Sequence, residues 1–307
     1  MIVDQTEAGA EDFNCASCGK SEVDDIKLKK CDDCDLVRYC NDECKEDHLS
    51  QHEAMCKERA AELRDEILFR QPESSHLGDC PICFLPHPLE LDSETSRIIM
   101  SCCSKLFCRG CDYANMLRER QARLQQTCPF CRRPSPETDE EINKNIMKRV
   151  EKNDPVAMRQ LGKMHYQKGD YVGAFEYWRK AAELGDAVAH YDLSFLYEKG
   201  EGVEKDEKRE LFHLVEAAIA GHPEARHNFA CRDGMNDKID RSVKHLIIAA
   251  NLGCDDSIQA LKECYKRGLV SKEDFAAALR AHQAAVDATK SPQREEAAEY
   301  FRRRQLE

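Results

Sequence analysis

The sequence predicts a multidomain chain: two small metal-dependent modules followed by an all-α solenoid of helix hairpins. Three observations predict it. Fifteen of the 18 cysteines fall between Cys15 and Cys131. Together with His52 they form two successive ladders of eight ligands, enough for two tetrahedral sites per ladder. Beyond them a segment recurs: AMRQLG at 157–162 returns as AHYDLS at 189–194, ARHNFA at 225–230 and, more loosely, SIQALK at 257–262, at intervals of 32, 36 and 32 residues.

Bulk properties bound the rest. A chain of 307 residues has room for two or three domains. The repeat region can bury an ordinary core, whereas small cysteine-dense units need metal or disulfides. A net charge of −12 repels phosphate backbones, so nucleic acid is not an expected partner. The basic runs Arg132-Arg133 and Arg302-Arg303-Arg304 read as solvated charges. No stretch is long and apolar enough to cross a membrane, and the acidic start MIVDQTEAGAEDFN lacks a secretory core. A reducing compartment, cytoplasm or nucleus, is the expectation, and clustered thiols there favour metal over disulfides. Cys231, Cys254 and Cys264, scattered through the helical region, read as small hydrophobes.

In chain order, 1–14 reads as a disordered leader, 15–56 as the first zinc module and 57–79 as a helical linker. The second zinc module covers 80–131. A linker with a capping helix (132–153), the repeats (154–288) and a charged, marginally helical tail (289–307) complete the chain. A charged helix is expected from Lys57 to Arg70, ended by Gln71-Pro72-Glu73-Ser74-Ser75. Thr138 and Glu141 make a capping box for a helix with Ile142, Ile146 and Val150 on one face.

The first ladder is Cys15-x2-Cys18, Cys31-x2-Cys34, Cys40-x3-Cys44 and His52-x3-Cys56. The x3 pairs are i,i+4 and project from one face of a helix, so 40–48 and 51–59 should be helical. Spacing and types resemble the MYND zinc finger. By that resemblance Cys15, Cys18, Cys40 and Cys44 hold one Zn2+, and Cys31, Cys34, His52 and Cys56 the other, leaving His48 at the surface or behind the ligands. Members of that family dock short proline-containing peptides; the plainer alternative is a purely structural zinc knot. Full coordination argues against hydrolysis or deamination, which need an open position.

The second ladder is Cys80-Pro81-Ile82-Cys83, Cys102-Cys103, Cys108-x2-Cys111 and Cys128-Pro129-Phe130-Cys131, with a helix expected from Tyr113 to Gln126. CPIC, LFCRGC and CPFCR resemble a RING finger. That resemblance implies cross-bracing: Cys80, Cys83, Cys108 and Cys111 on one ion, Cys102, Cys103, Cys128 and Cys131 on the other. It also implies contact with a ubiquitin-conjugating enzyme through Ile82, Pro129 and Arg132, and ubiquitin transfer by positioning, without a covalent intermediate. Lys105 stands where a RING usually has a histidine ligand; adjacent Cys102 and Cys103 could supply both positions, as in all-cysteine variants, or, as a cramped pair, leave the second site weaker. Each of the three contacts also has a plain reading: packing at Ile82, turn shape at Pro129, a solvated charge at Arg132.

LGKMHYQKGDYVGAFEYWRKAAELGD and LSFLYEKGEGVEKDEKRELFHLVEAAIAGH resemble the Sel1-like repeat, a relative of the tetratricopeptide repeat, which implies a protein-binding scaffold. Glycine after each second helix suits a left-handed C-cap. His165, His190 and His227 recur on helical polar faces. Two functions remain open: a RING-type ubiquitin ligase whose other modules recruit protein substrate, and a non-catalytic interaction adaptor in which three modules multiply weak affinities, with transcriptional repression as a variant.

Overall fold

The computed structural model describes residues 14–20, 27–32, 34, 37–89 and 97–305, in two compact units, Met1–Arg70 and Gln71–Glu307. All but the last residue of the expected leader lies outside the described residues.

In the first unit two short strands, β1 (Lys29–Lys30) and β2 (Arg38–Tyr39), pair antiparallel and lead into a 27-residue helix, α1 (Asp42–Leu68). The two ligand turns and the charged helix expected separately are one continuous helix. Nothing between Asp42 and Leu68 interrupts it, neither glycine nor proline. Asn41 Oδ1 accepts from the Cys44 amide at 2.9 Å and starts the helix. Its apolar burial is slight, with His52 and Leu68 its buried residues. Local ion pairs such as Arg59 to Glu62 and Glu66 line its exposed course.

The second unit opens with residues 71–79, which the sequence reads as linker. They lie against the repeats instead: the His76 amide donates to Gly221 O at 2.9 Å, its ring stacks on His222 at 4.1 Å, and Asn251 Nδ2 donates to Gln71 Oε1 at 3.0 Å. Next come a hairpin of β3 (Arg97–Ile99) and β4 (Leu106–Cys108), in register Ile98 to Phe107, and α2 (Arg109–Gln121), which starts and ends earlier than the spacing predicts.

After α3 (Asp139–Val150), capped by Thr138 as expected, eight helices stack as antiparallel hairpins. They are α4 (Pro155–Gln167), α5 (Tyr171–Glu183), α6 (Ala187–Lys199), α7 (Glu207–Ile219), α8 (Pro223–Met235), α9 (Ile239–Asn251), α10 (Asp255–Lys266) and α11 (Lys272–Ala288). Gly185, Gly221 and Gly253 take φ of 84°, 84° and 93° where each second helix ends, as the sequence leads one to expect. Asp154, Asp170, Asp186 and Asp206 cap the helices that follow them. Small residues let each pair close up: Ala181, Ala217 and Ala249 have no exposed surface.

The tail corrects the sequence reading. It forms a helix, α12 (Pro292–Gln305), that turns back onto α2. Averaged over the segment the composition is charged, but Gln293, Ala297, Tyr300 and Phe301 share one face. Tyr300 packs on Tyr113 at 4.9 Å, the Arg109 guanidinium covers the Phe301 ring at 4.6 Å, and Gln293 donates to Gly110 O at 2.9 Å. Gly110 permits this close approach, since a Cβ would meet Arg294 in tight contact at 3.0 Å.

Two outcomes follow. A Cβ on Gly162 would lie 2.4 Å from the ring of Trp178, the single tryptophan. Gly162→Ala is expected to cost about 1–3 kcal/mol by overpacking, read by denaturant titration of Trp178 fluorescence. The second concerns acid. Burial depresses His213 to about 4 and His245 to about 3, so the folded chain keeps both neutral while the unfolded chain protonates them near 6.5. Their contribution to stability is complete above pH 6.5 and is lost as pH falls from there towards 4 and 3. His213→Gln should flatten the slope of stability between pH 6.5 and 5, measured by the same titration.

Candidate zinc centres

Each first-ladder site is assembled from distant segments. Cys15 and Cys18 come from the first turn, tied to the hairpin by the bond from Ala16 N to Arg38 O at 2.9 Å. Cys40 and Cys44 flank the Asn41 cap, so the cap that starts α1 also sets their separation. Cys31 and Cys34 lie in the β1–β2 connection, and His52 and Cys56 stand one turn apart on α1. The ligand atoms group as Cys15, Cys18, Cys40 and Cys44, and as Cys31, Cys34, His52 and Cys56, each set mutually within 4.8 Å. These are the groupings the resemblance implies. His48 belongs to neither; its Nδ1 lies 3.1 Å from the Tyr39 hydroxyl, behind the ligands.

The second ladder is interleaved. Cys80, Cys83, Cys108 and Cys111 form one set; Cys102, Cys103, Cys128 and Cys131 form the other. Adjacent Cys102 and Cys103 both reach the second set, at 3.4 Å from Cys131 and 3.8 Å from Cys128. Lys105 takes no part: its ammonium lies over the Phe130 ring, 5.7 Å from the centroid. Three cysteine pairs are followed by a residue in the left-handed region, Phe84, Ser104 and Arg132, at φ of 57°, 56° and 62°. The residue's own amide closes the turn, as from Phe84 N to Cys80 O at 2.8 Å and from Arg132 N to Cys128 O at 2.9 Å. The left-handed backbone brings the next carbonyl back to the first ligand's amide, Cys80 N donating to Leu85 O at 3.0 Å and Cys128 N to Arg133 O at 2.7 Å.

The geometry decides between crosslink and metal. Sulfur separations are 3.6 Å for Cys18–Cys40, 3.7 Å for Cys31–Cys56, 3.9 Å for Cys80–Cys111 and 3.7 Å for Cys83–Cys108. A disulfide needs about 2.05 Å. A tetrahedron with zinc–sulfur bonds of about 2.3 Å has edges of about 3.8 Å. Cysteine and histidine donors in this shape fit Zn2+ at all four sites. Within these packed sets some thiols resist ionising: burial and Cys31 push Cys56 up to about 12, and the Cys40 hydrogen bond with burial pushes Cys44 up to about 12, whereas at Cys15 burial is outweighed by backbone hydrogen bonds, which bring it down to about 6. A dication reverses that balance.

Around these centres the exposed side chains are Ile82, Phe84, Phe130 and Arg132, with Pro129 half-buried. Arg132 Nη1 donates to Asn115 Oδ1 at 3.1 Å, and Asn115 Nδ2 donates to Thr127 O at 3.1 Å, so α2 braces the last zinc loop. Asn115 was not singled out in the sequence. Nor was Arg294, whose guanidinium donates to Leu85 O at 3.0 Å, to Pro86 O at 2.6 Å and to Cys83 Sγ at 3.4 Å. Neither lies in a spacing pattern that would have marked it.

Residues 15–56 match the family model of the MYND finger, and residues 155–186 and 187–222 match that of the Sel1 repeat. The chain is 26% identical over 175 residues to the DAP3-binding cell death enhancer 1 of Mus musculus, covering 44% of this chain and 34% of that protein. It is 23% identical over 196 residues to the protein of that name in Rattus norvegicus, covering 51% and 38%. The chain thus spans little more than a third of the length of the curated relatives it matches. The crystal structure of a Sel1 repeat protein from Oxalobacter formigenes is 22% identical, with a TM-score of 0.44, covering 58% of this chain and 72% of that one. This chain therefore carries a MYND finger and Sel1 repeats, both modules of protein interaction, and no described helix is long and apolar enough to cross a membrane.

Zinc uptake should release protons, because thiols held above their ordinary range must lose them to bind. Calorimetric titration of the metal-free chain with zinc, in buffers of different ionisation enthalpy, should show net proton release and an affinity that falls as pH falls. Proton-neutral uptake would contradict thiolate ligation.

Proposed function

We propose that this chain is a protein-interaction adaptor whose second zinc module acts as a RING-type ubiquitin ligase, holding a ubiquitin-charged conjugating enzyme beside substrate recruited by the MYND finger and the repeats. The observation that carries the reading is the interleaving of eight cysteines over 80–131, with Ile82 exposed between the first pair and Arg132 exposed after the last. Cross-braced sites fix two loops 48 residues apart in sequence, Cys80–Cys83 and Cys128–Cys131, without a large core. A rigid shallow surface of that kind can orient a partner's thioester by position alone. Arg132 supports the reading further: its fork has donors left over after one bond to Asn115. α12 packs on α2 through Gly110 and Tyr113, whereas Asn115 faces Arg132. The reduced thiols suit cytoplasm or nucleus.

The adaptor without catalysis is the second reading. It is favoured by the curated relatives, which are named for binding a protein partner. In either case the MYND finger is read as taking proline-containing peptides.

Auto-ubiquitination by the zinc-loaded chain, over a panel of conjugating enzymes, separates the two. The parent should form chains with at least one enzyme. Ile82→Ala and Arg132→Gly should reduce them about tenfold or more at unchanged zinc content; glycine at 132 removes the guanidinium and relieves the left-handed backbone at once. No chains with any enzyme from fully loaded protein would leave the adaptor alone.

A further inference from the structure

The first hairpins of the solenoid and the β3–β4 hairpin of the second zinc module enclose a groove of about 680 Å³ within one compact unit. Its floor is aromatic and aliphatic: Trp178, Tyr166, Tyr191, Phe195, Ile99 and Leu106. Its charge runs against that of the chain. Arg97 enters from β3, Arg159 and Lys163 from α4, and Lys199 from the end of α6. Two carboxylates face them, Asp192 and Glu224, with the rings of His76 and His222 beside Glu224. Each acid has basic neighbours. Glu224 lies 3.2 Å from His222 Nδ1, and burial pushes Asp192 up to about 7 despite Arg159 beside it, so near neutrality it carries only part of its charge. Arg159 is held by Asp186 at 3.1 Å through Nε, a bond that does not use its two terminal nitrogens. Arg97, half-buried, has Glu224 as its acidic neighbour in the groove, each charge favouring the other, without a direct hydrogen bond or close ion pair among the described residues. Three polar atoms on the lining, Gln160 Oε1, His76 Nδ1 and Glu224 Oε2, are buried with no hydrogen-bond partner among the described residues.

Buried polar atoms without partners are costly, and four cations facing two carboxylates leave an excess of positive charge on the lining. A groove with that inventory is completed by a ligand that brings carboxylates for the arginines, a backbone N–H for the Gln160 oxygen, and an apolar side chain for the aromatic floor. We propose that this groove docks an extended acidic segment of a partner protein, anchored by an aromatic or aliphatic residue. The inference rests on the reading of the repeats as a protein-docking domain and gives that domain a substrate class. The groove is composite: Arg97, Ile99 and Leu106 belong to the zinc module, so a segment seated in it lies against the same module that is read as recruiting the conjugating enzyme.

The test is selection of peptides from a random display library on the full-length, zinc-loaded chain, followed by fluorescence anisotropy with the enriched sequences. Enriched peptides are expected to carry several glutamates or aspartates around one aromatic or aliphatic residue. Their affinity should fall with added salt, and should drop about tenfold or more in Arg97→Glu and Lys199→Glu chains of unchanged zinc content and thermal midpoint. Should a variant lose stability, the charge-swapped pair settles the matter: lysine-substituted peptides should regain affinity for Arg97→Glu. No enrichment, enrichment without acidic bias, or equal binding by parent and variants would overturn the proposal. Because the assay contains no ubiquitin, binding with no chain formation would sink the ligase reading and leave this one standing, and chain formation with no binding the reverse.

Discussion

The structure depends on tetrahedral closure of four thiolate-rich sets. A set closes only when segments far apart in sequence arrive within about 4 Å of one another, and every set here draws on two such segments. That requirement explains local features that would otherwise look unrelated. Asn41 caps α1 between two ligands. Phe84, Ser104 and Arg132 accept a left-handed backbone, at a cost of about 1–2 kcal/mol each, because the turn that folds the chain over its sulfurs needs it. The buried residues of 80–131 are largely the cysteines themselves, with Phe107 as the one large apolar side chain among them. Such a module has little to hold it together besides metal.

Four thiolates on one dication leave a surplus of negative charge, and the fold answers it. Backbone amides point at sulfur, as from Cys108 N to Cys80 Sγ at 3.4 Å, and the Arg294 guanidinium lies 3.4 Å from Cys83 Sγ. Arg294 arrives from the far end of the chain, so α12 ties the zinc loop to the helix that follows the repeats. The segment 71–79 does the same from the other side through Gly221 and Asn251. Module and solenoid in the second unit are thereby one packed body, and the groove between them has walls from both.

Much of this was legible in the sequence, for identifiable reasons. Metal ligands announce themselves by type and spacing, and so the sixteen ligand positions could be read, while their division into four sets and the Cys102–Cys103 substitution for a missing histidine came from the family resemblances. Repeats announce themselves by recurrence, and the C-cap glycines follow, whereas the capping aspartates were seen only in the structure. What could not be read depended on contacts without a local pattern. The tail was obscured by its charge although four residues on one face carry its packing. Gln71–Pro72 looked like punctuation because proline and serine break helices, yet the segment is bound in place. Gly162 shows the same limit, since the ring that requires it, Trp178, is 16 residues away.

Interleaving of the cysteines over 80–131 is the central claim, and cadmium-113 substitution tests it without altering a residue. In cadmium-edited proton correlation spectra of the substituted chain, the β-protons of Cys80, Cys83, Cys108 and Cys111 should couple to one cadmium resonance, and those of Cys102, Cys103, Cys128 and Cys131 to another. Coupling of Cys80 and Cys83 to the same cadmium as Cys102 and Cys103 would mean two sites in sequential order, and the cross-brace, with the rigid surface built on it, would be wrong.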